Sequence, residues 1–247
     1  MKNFLSIDLG NTNPHFGHFI DGELKNVYPI SKTEIVPASF SYAISNVTKQ
    51  EIPPFLESGK SIDISIAKKN NMFLDMNVNY ASNLGQDRLF QAYYLYKNFV
   101  SNKNSGILID AGTFITIDLI SKDGFMGGYI LPGIQNYIET FKKGANLPTS
   151  ITNDFDHLSD EIPHNTNDAL SAGIQHLYFS ILNSLLKSND KAKVVFTGSQ
   201  YSPLLKILKR HFNVEFIENI DLIHQSLFYI SSEFIAKNKV LNQRGTL

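Results

Sequence analysis

A chain of 247 residues, 43% hydrophobic and 18% charged, can bury a substantial core in one large domain or two modest ones, which excludes a disordered polymer. Its formal net charge of −1 leaves no basic footprint for nucleic acid, and Asp110 and Asp118 interrupt GILIDAGTFITIDLI before it reaches the length of a membrane span. With no cysteine, disulfides, thiolate zinc sites and cysteine nucleophiles are excluded, and the start MKNFLSIDLG lacks the pattern of a secretory leader, so a cytoplasmic protein without nucleic-acid or membrane partners is expected.

FLSIDLGNTNPHFGHFIDGEL, from Phe4, predicts an apolar strand ending on Asp8, a Gly-Asn-Thr-Asn turn, a second strand and an Asp-Gly hairpin turn. Residues 27–55 carry Pro breaks among β-branched residues. PFLESGKS, residues 54–61, echoes a phosphate-binding P-loop, but Pro54 stands where the loop needs its first glycine, so Gly59-Lys60-Ser61 reads as a surface turn. SIDISIAKK (61–69) predicts another strand. GQDRLFQAYYLYKNFVSN, from Gly85, predicts a helix with Leu89, Tyr93, Leu95 and Phe99 among its apolar positions.

SNKNSG (101–106) marks the expected boundary between lobes at 1–104 and 105–247. GILIDAGTFITIDLISKDGFM, from Gly106, then repeats the first unit. Setting Asp8 on Asp110 places Gly10 on Gly112 and Asp21-Gly22 on Asp123-Gly124 without a gap, which points to an internal duplication too widely spaced for a solenoid. Residues 142–166 form a polar stretch of the length expected for a lid or binding loop. Helices are predicted at 167–187, 201–212 and 221–239, with a strand at 193–197 entering a glycine turn at Gly198. Strands alternating with helices predict the α/β class.

No Rossmann Gly-x-Gly-x-x-Gly and no His-Glu-x-x-His occurs, and His15 and His18, three apart on a strand, point to opposite faces. The sequon at Asn46-Val47-Thr48 carries no meaning without a leader. Three carboxylates remain: Asp8, Asp110 and Asp87 in Gly85-Gln86-Asp87-Arg88. Asp8 and Asp110 can simply cap turns, and Asp87 can simply cap its helix. The functional alternative is that the twin turns grip one phosphate chain. Turn N–H groups with Asn11, Thr12 and Thr113 would cradle phosphate oxygens, the carboxylates would hold a hydrated Mg²⁺, and Asp87 beside Arg88 would supply a base next to an anion-binding group. The duplication favours this alternative, because it explains why both turns have one form.

These stretches resemble the type III pantothenate kinases of the acetate and sugar kinase/Hsp70/actin superfamily. Asp8-Leu9-Gly10-Asn11-Thr12-Asn13 is similar to that family's first phosphate motif, Gly85-Gln86-Asp87-Arg88 to its Gly-x-Asp-Arg motif, and Asp110-Ala111-Gly112-Thr113 with Thr116 and Asp118 to its second phosphate motif. Gly127-Gly128-Tyr129-Ile130-Leu131-Pro132-Gly133-Ile134 resembles a fourth, with weaker likeness at Asn165–Ala169, Gly173, Thr197-Gly198 and Asp221-Leu222. The resemblance implies two similar lobes of the actin-like ATPase (ribonuclease H-like) fold with the active site in the cleft between them, and ATP-dependent phosphorylation of pantothenate at the start of coenzyme A synthesis. It implies Asp87 as the catalytic base. Asp8, Leu9, Gly10, Asn11, Thr12, Asn13 and Thr113 become ATP contacts, and Tyr80, Gly85, Gln86, Asp87, Arg88 and Thr166 pantothenate contacts. Asp8 would serve Mg²⁺ and Asp110 a monovalent cation, K⁺ or NH4⁺. A homodimer is implied too.

The chain departs from the family pattern in three places. Tyr80-Ala81-Ser82-Asn83 lacks the family's proline, Phe114 replaces an Ala, and Thr197-Gly198-Ser199 replaces Thr-Gly-Gly. The competing readings are a catalytically inactive kinase-like regulatory protein and a different small-molecule kinase, or a phosphatase, on the same fold.

Overall fold

The structure is a computed structural model that describes residues 1–10, 12–48, 50–143 and 161–244, the last six as helical backbone only. Contacts divide the chain into two α/β units. One comprises Met1–Asn98, Asp123–Met126 and the segment from Asp221 on; the other comprises Phe99–Lys122 and Gly127–Ile220.

The first unit begins with β1 (Asn3–Leu9), β2 (His15–Ile20), β3 (Glu23–Pro29), β4 (Ser41–Asn46) and β5 (Lys60–Ser61), arranged as a five-stranded sheet in the order β3-β2-β1-β4-β5. The apolar run predicted at Phe4 is β1, and alternation gives it two different faces. Leu5, Ile7 and Leu9 join Phe16, Phe40 and Leu56 in one buried cluster. Phe4 and Ser6 point the other way, toward Phe228 and His224. The β2–β3 turn puts both Asp21 (φ 50°) and Gly22 (φ 93°) in the left-handed region, the geometry that matches strand twist in a two-residue hairpin.

Residues 61–69 do not form the single strand their pattern predicts. Asp63 Oδ1 accepts hydrogen bonds from the N–H and O–H of Ser65, which bends the chain into a 3-10 turn at Ser65–Ala67. Lys60 and Ser61 extend the main sheet beside β4 rather than forming a free turn. Three two-residue strands, β6 (Lys68–Lys69), β7 (Met72–Phe73) and β8 (Met76–Asn77), make a small second sheet. Helix α1 (Gln86–Asn98) follows, burying Leu89, Phe90, Ala92, Tyr93 and Leu95.

The second unit contains β9 (Gly106–Ala111), β10 (Phe114–Ser121), β11 (Gly124–Pro132, apart from its first three residues), α2 (Ile134–Lys143), α3 (Thr166–Ser188), β12 (Lys193–Thr197), α4 (Ser202–His211) and β13 (Phe216–Glu218). Its sheet runs β11-β10-β9-β12-β13. The order is that of the first unit strand for strand. Each central strand, β1 or β9, has its hairpin partner antiparallel on one side and a later strand parallel on the other. The duplication read from the sequence is therefore a duplication of topology, and both units are of the α/β class that the sequence predicts. Ile107, Ile109 and Ala111 pack with Ile174, Tyr178 and Leu182 of α3 and Leu204 and Leu208 of α4. Each buried Ile or Leu among these contributes about 1.5–3 kcal/mol, so apolar packing holds the unit together.

Helix α5 (Leu222–Arg244) follows the second unit in the chain but belongs to the first, where it packs on β1, β4 and α1. Phe228 explains the attachment: it stacks on Phe19 at 4.5 Å and meets Phe4 edge-on at 5.4 Å. Among the described residues no helix is long and apolar enough to cross a membrane.

Candidate active site

Asp8 occupies the end of β1, opposite His15 of β2 and Ser45 of β4. His15 Nδ1 lies 4.0 Å from Asp8 Oδ2. Burial holds the His15 imidazole below the ordinary histidine range, against its own backbone hydrogen bond and Asp221. Its ring centroid is 4.7 Å from that of His224, whose Nδ1 is 2.8 Å from Ser6 Oγ. Burial, and then His15, push His224 down to about 3. Gly17 makes room for this pair, because a Cβ there would come within 2.6 Å of Ser6 Oγ and 2.9 Å of the His224 ring. As alternation requires, Phe16 turns to the opposite cluster. A pocket of about 430 Å³ opens between residues 12–15 of the turn and residues 27–31 at the end of β3. Asn11 and most of the loop at 142–165 lie outside the described residues.

Gly85-Gln86-Asp87-Arg88 sits at the start of α1 and is tied to the same sheet edge. Asn46, paired with Leu9 across β4 and β1, donates its N–H to Gln86 Oε1 at 3.1 Å. Asp87 Oδ1 accepts the Arg88 N–H at 2.8 Å and lies 2.6 Å from where a Cβ on Gly85 would stand, so glycine lets the carboxylate fold back. Burial raises the Asp87 carboxyl above the ordinary range, opposed by that N–H and by the Arg88 charge. The Arg88 side chain is buried, with Nη1 3.4 Å from the Tyr80 hydroxyl. Tyr80, Gly85, Gln86, Asp87 and Arg88 are thus one cluster, beside the strand ends that carry Asp8.

In the second unit Asp110 is the penultimate residue of β9, opposite Thr116 of β10 and Thr197 of β12. Gly112 donates to the Phe114 carbonyl at 3.0 Å, and the Thr113 carbonyl accepts from the Gly133 N–H at 2.9 Å and from Asn136 Nδ2. Gly198 (φ 83°) is pressed onto the turn: a Cβ would lie 2.5 Å from the Ala111 carbonyl and 2.7 Å from Asp110 Oδ1. Phe114, whose ring stands where the family pattern has Ala, is half exposed instead of packed into the core. Thr166 is the exposed first residue of α3, with Asn165 Oδ1 capping the Asp168 N–H at 3.0 Å.

The sequence model of the type III pantothenate kinase family matches residues 4–188. The chain belongs to that family. The type III pantothenate kinase of Campylobacter hominis is 32% identical over 137 residues, which span 56% of this chain and 61% of that protein. The same-named protein of Helicobacter pylori strain HPAG1 is 27% identical over 76% of each chain. A crystal structure from Campylobacter jejuni, described as a conserved Baf family transcriptional activator, is 26% identical, covers 94% of this chain and 99% of its own, and superposes with a TM-score of 0.61.

The sequence reading missed two residues of this region. His224 and Phe125 both reach it from elements far along the chain, the first beside His15 and the second beside Arg88. His224 had a faint signal, as a histidine placed among the apolar positions of α5.

Proposed function

We propose that this chain transfers the γ-phosphoryl group of ATP to the hydroxyl of pantothenate, giving 4′-phosphopantothenate, the first step of coenzyme A synthesis. The observation that carries the reading is Asp87: a carboxylate at the start of α1, pushed up by burial, beside Arg88 and at the strand edge that ends in Asp8. A base that takes a proton as the hydroxyl attacks works best with a pKa above that of a solvated Asp, and Asp87 has that environment. Activity is then lost as pH falls through a value above the ordinary Asp range, where the carboxylate protonates. Phosphoryl transfer otherwise needs positioning and charge neutralisation, which the turns can provide.

The first-unit turn, with Asp8, Leu9, Gly10, Asn11, Thr12 and Asn13, and Thr113 of the second unit take ATP in this reading. Among the described residues no cluster of three or more His, Cys, Asp or Glu side chains could cage a metal. A lone carboxylate such as Asp8 fits Mg²⁺ all the same, because that ion keeps waters and phosphate oxygens as ligands. When bound, it neutralises phosphate charge. Asp110, with Thr116 and Thr197 hydroxyls across the strands, offers oxygen donors suited to K⁺ or NH4⁺. Tyr80, Gly85, Gln86, Arg88 and Thr166 take pantothenate, with Arg88 on its carboxylate. A homodimer in the cytoplasm completes the reading.

The test is purified protein with ATP, Mg²⁺ and pantothenate, with and without K⁺ or NH4⁺. Phosphopantothenate is the expected product, and its absence under every condition overturns the proposal. ATP binding without turnover would favour a regulatory role instead. Asp87→Asn should retain ATP binding and lose about 10²–10⁴-fold in turnover; full activity in that variant would remove Asp87 from the role of base.

A further inference from the structure

The duplicated hairpin tips have parted in use. In the first unit the tip at Asp21-Gly22 lies under α5, with Phe228 at 3.8 Å from a Cβ on Gly22. Its counterpart at Asp123-Gly124 leads into Phe125, and residues 123–126 group with the first unit although β10 and the rest of β11 group with the second. Val78 and Phe125 form a parallel bridge, and the Asn79 N–H donates to the Phe125 carbonyl at 3.0 Å. Gly124 makes the approach possible: its φ is +113°, and a Cβ would sit 2.1 Å from the Asn77 carbonyl oxygen.

The approach delivers the fully buried Phe125 ring to Arg88. The Tyr80 and Phe125 rings meet edge-on, 5.7 Å apart at 72°, and make a corner. The Arg88 guanidinium carbon lies in that corner, 5.2 Å from the Tyr80 centroid and 5.8 Å from that of Phe125. Two aromatic walls and the Tyr80 hydroxyl remove most of the rotameric freedom of a long side chain.

We propose that Phe125 is a positioning residue for pantothenate recognition: it fixes the Arg88 guanidinium in the orientation that pairs with the substrate carboxylate. The inference rests on the reaction proposed above. Phe125→Leu keeps apolar volume and removes the aromatic wall; Phe125→Tyr keeps the wall. The leucine variant should raise KM for pantothenate about tenfold, the size of one partly buried cation–π contact, while kcat and KM for ATP stay as in the parent. The tyrosine variant should stay within about twofold of the parent. The alcohol analogue of pantothenate, which lacks the carboxylate, should be used equally well by the leucine variant and the parent.

An unchanged KM for pantothenate overturns the inference, as does a shift of equal size for pantothenate, its alcohol and ATP, which marks general loosening. Phe125→Met, which refills the space with a flexible side chain, carries the same predictions if the leucine variant does not fold. A parent that makes no phosphopantothenate overturns the reaction and the inference together. An active parent with an indistinguishable leucine variant overturns the inference alone.

Discussion

Asp8 and Asp110 are the penultimate residues of equivalent strands of equivalent sheets, yet the turns behind them are built differently. The turn after β9 spans Gly112 and Thr113 and is closed by backbone hydrogen bonds to Phe114, Gly133 and, from Gln200, to Ala111. Gly133 and Gly198 lie so close to it that neither tolerates a Cβ. The turn after β1 is longer, contains Pro14 and borders an open pocket, and the nearest atom to a Cβ on Gly10 is 3.5 Å away. The flanking groups differ as well: two threonines face Asp110, whereas the partly exposed His15 and the buried His224 stand beside Asp8. Duplication preserved strand order, which the whole core enforces. It left turn length and local packing free to diverge.

The sharpest way to break this contrast is at the glycines. Gly198→Ala adds left-handed strain to a backbone clash and should destabilise the protein by roughly 2–4 kcal/mol in urea or thermal unfolding. Losing no more than Gly10→Ala does would refute the idea that the second turn is the tighter one.

The histidine pair offers a smaller test, specific to the first unit. The folded-state value of His224, about 3, lies below the ordinary histidine value, so the unfolded chain binds the extra proton. The contribution is complete above about pH 6.5 and is lost as pH falls toward 3. From pH 7 to 5 the parent should lose about 2 kcal/mol more stability than His224→Leu. The groups around the pair are Ser6, Asp8 and Asp221, and parallel pH profiles for parent and variant would show that His224 is not the acid-sensitive element. Smallest of all, Gly10→Ala should shift stability by no more than about 0.5 kcal/mol, since nothing presses on it and its φ is not left-handed.

What the sequence disclosed was local or repeated. The hairpins at Phe4 and Gly106 carry strong alternation and Asp-Gly turns, α3 carries Ile174, Tyr178, Leu182 and Leu186 four apart, and the three aspartates sit in short motifs. What stayed hidden depended on distant partners. The gapless repeat would set Ile117 where His15 is, but pairing sets Thr116 opposite Asp110, because the first turn holds one more residue. SIDISIAKK has a strand's alternation, and the Asp63–Ser65 hydrogen bonds override it. Helix α2 went unpredicted behind Pro132-Gly133. The attachment of α5 to the first unit, and of Phe125 to Arg88, appears only once rings from remote segments are in contact.

The place of α5 also bears on biosynthesis. The ribosome delivers β1 long before α5, so the nascent first unit carries Phe4, Ser6 and Phe19 without the helix that covers them. The second unit, contiguous but for residues 123–126, has its strands and helices in hand much sooner. The half translated first is the half completed last, and while it waits for α5 it presents an apolar sheet face that chaperones can hold.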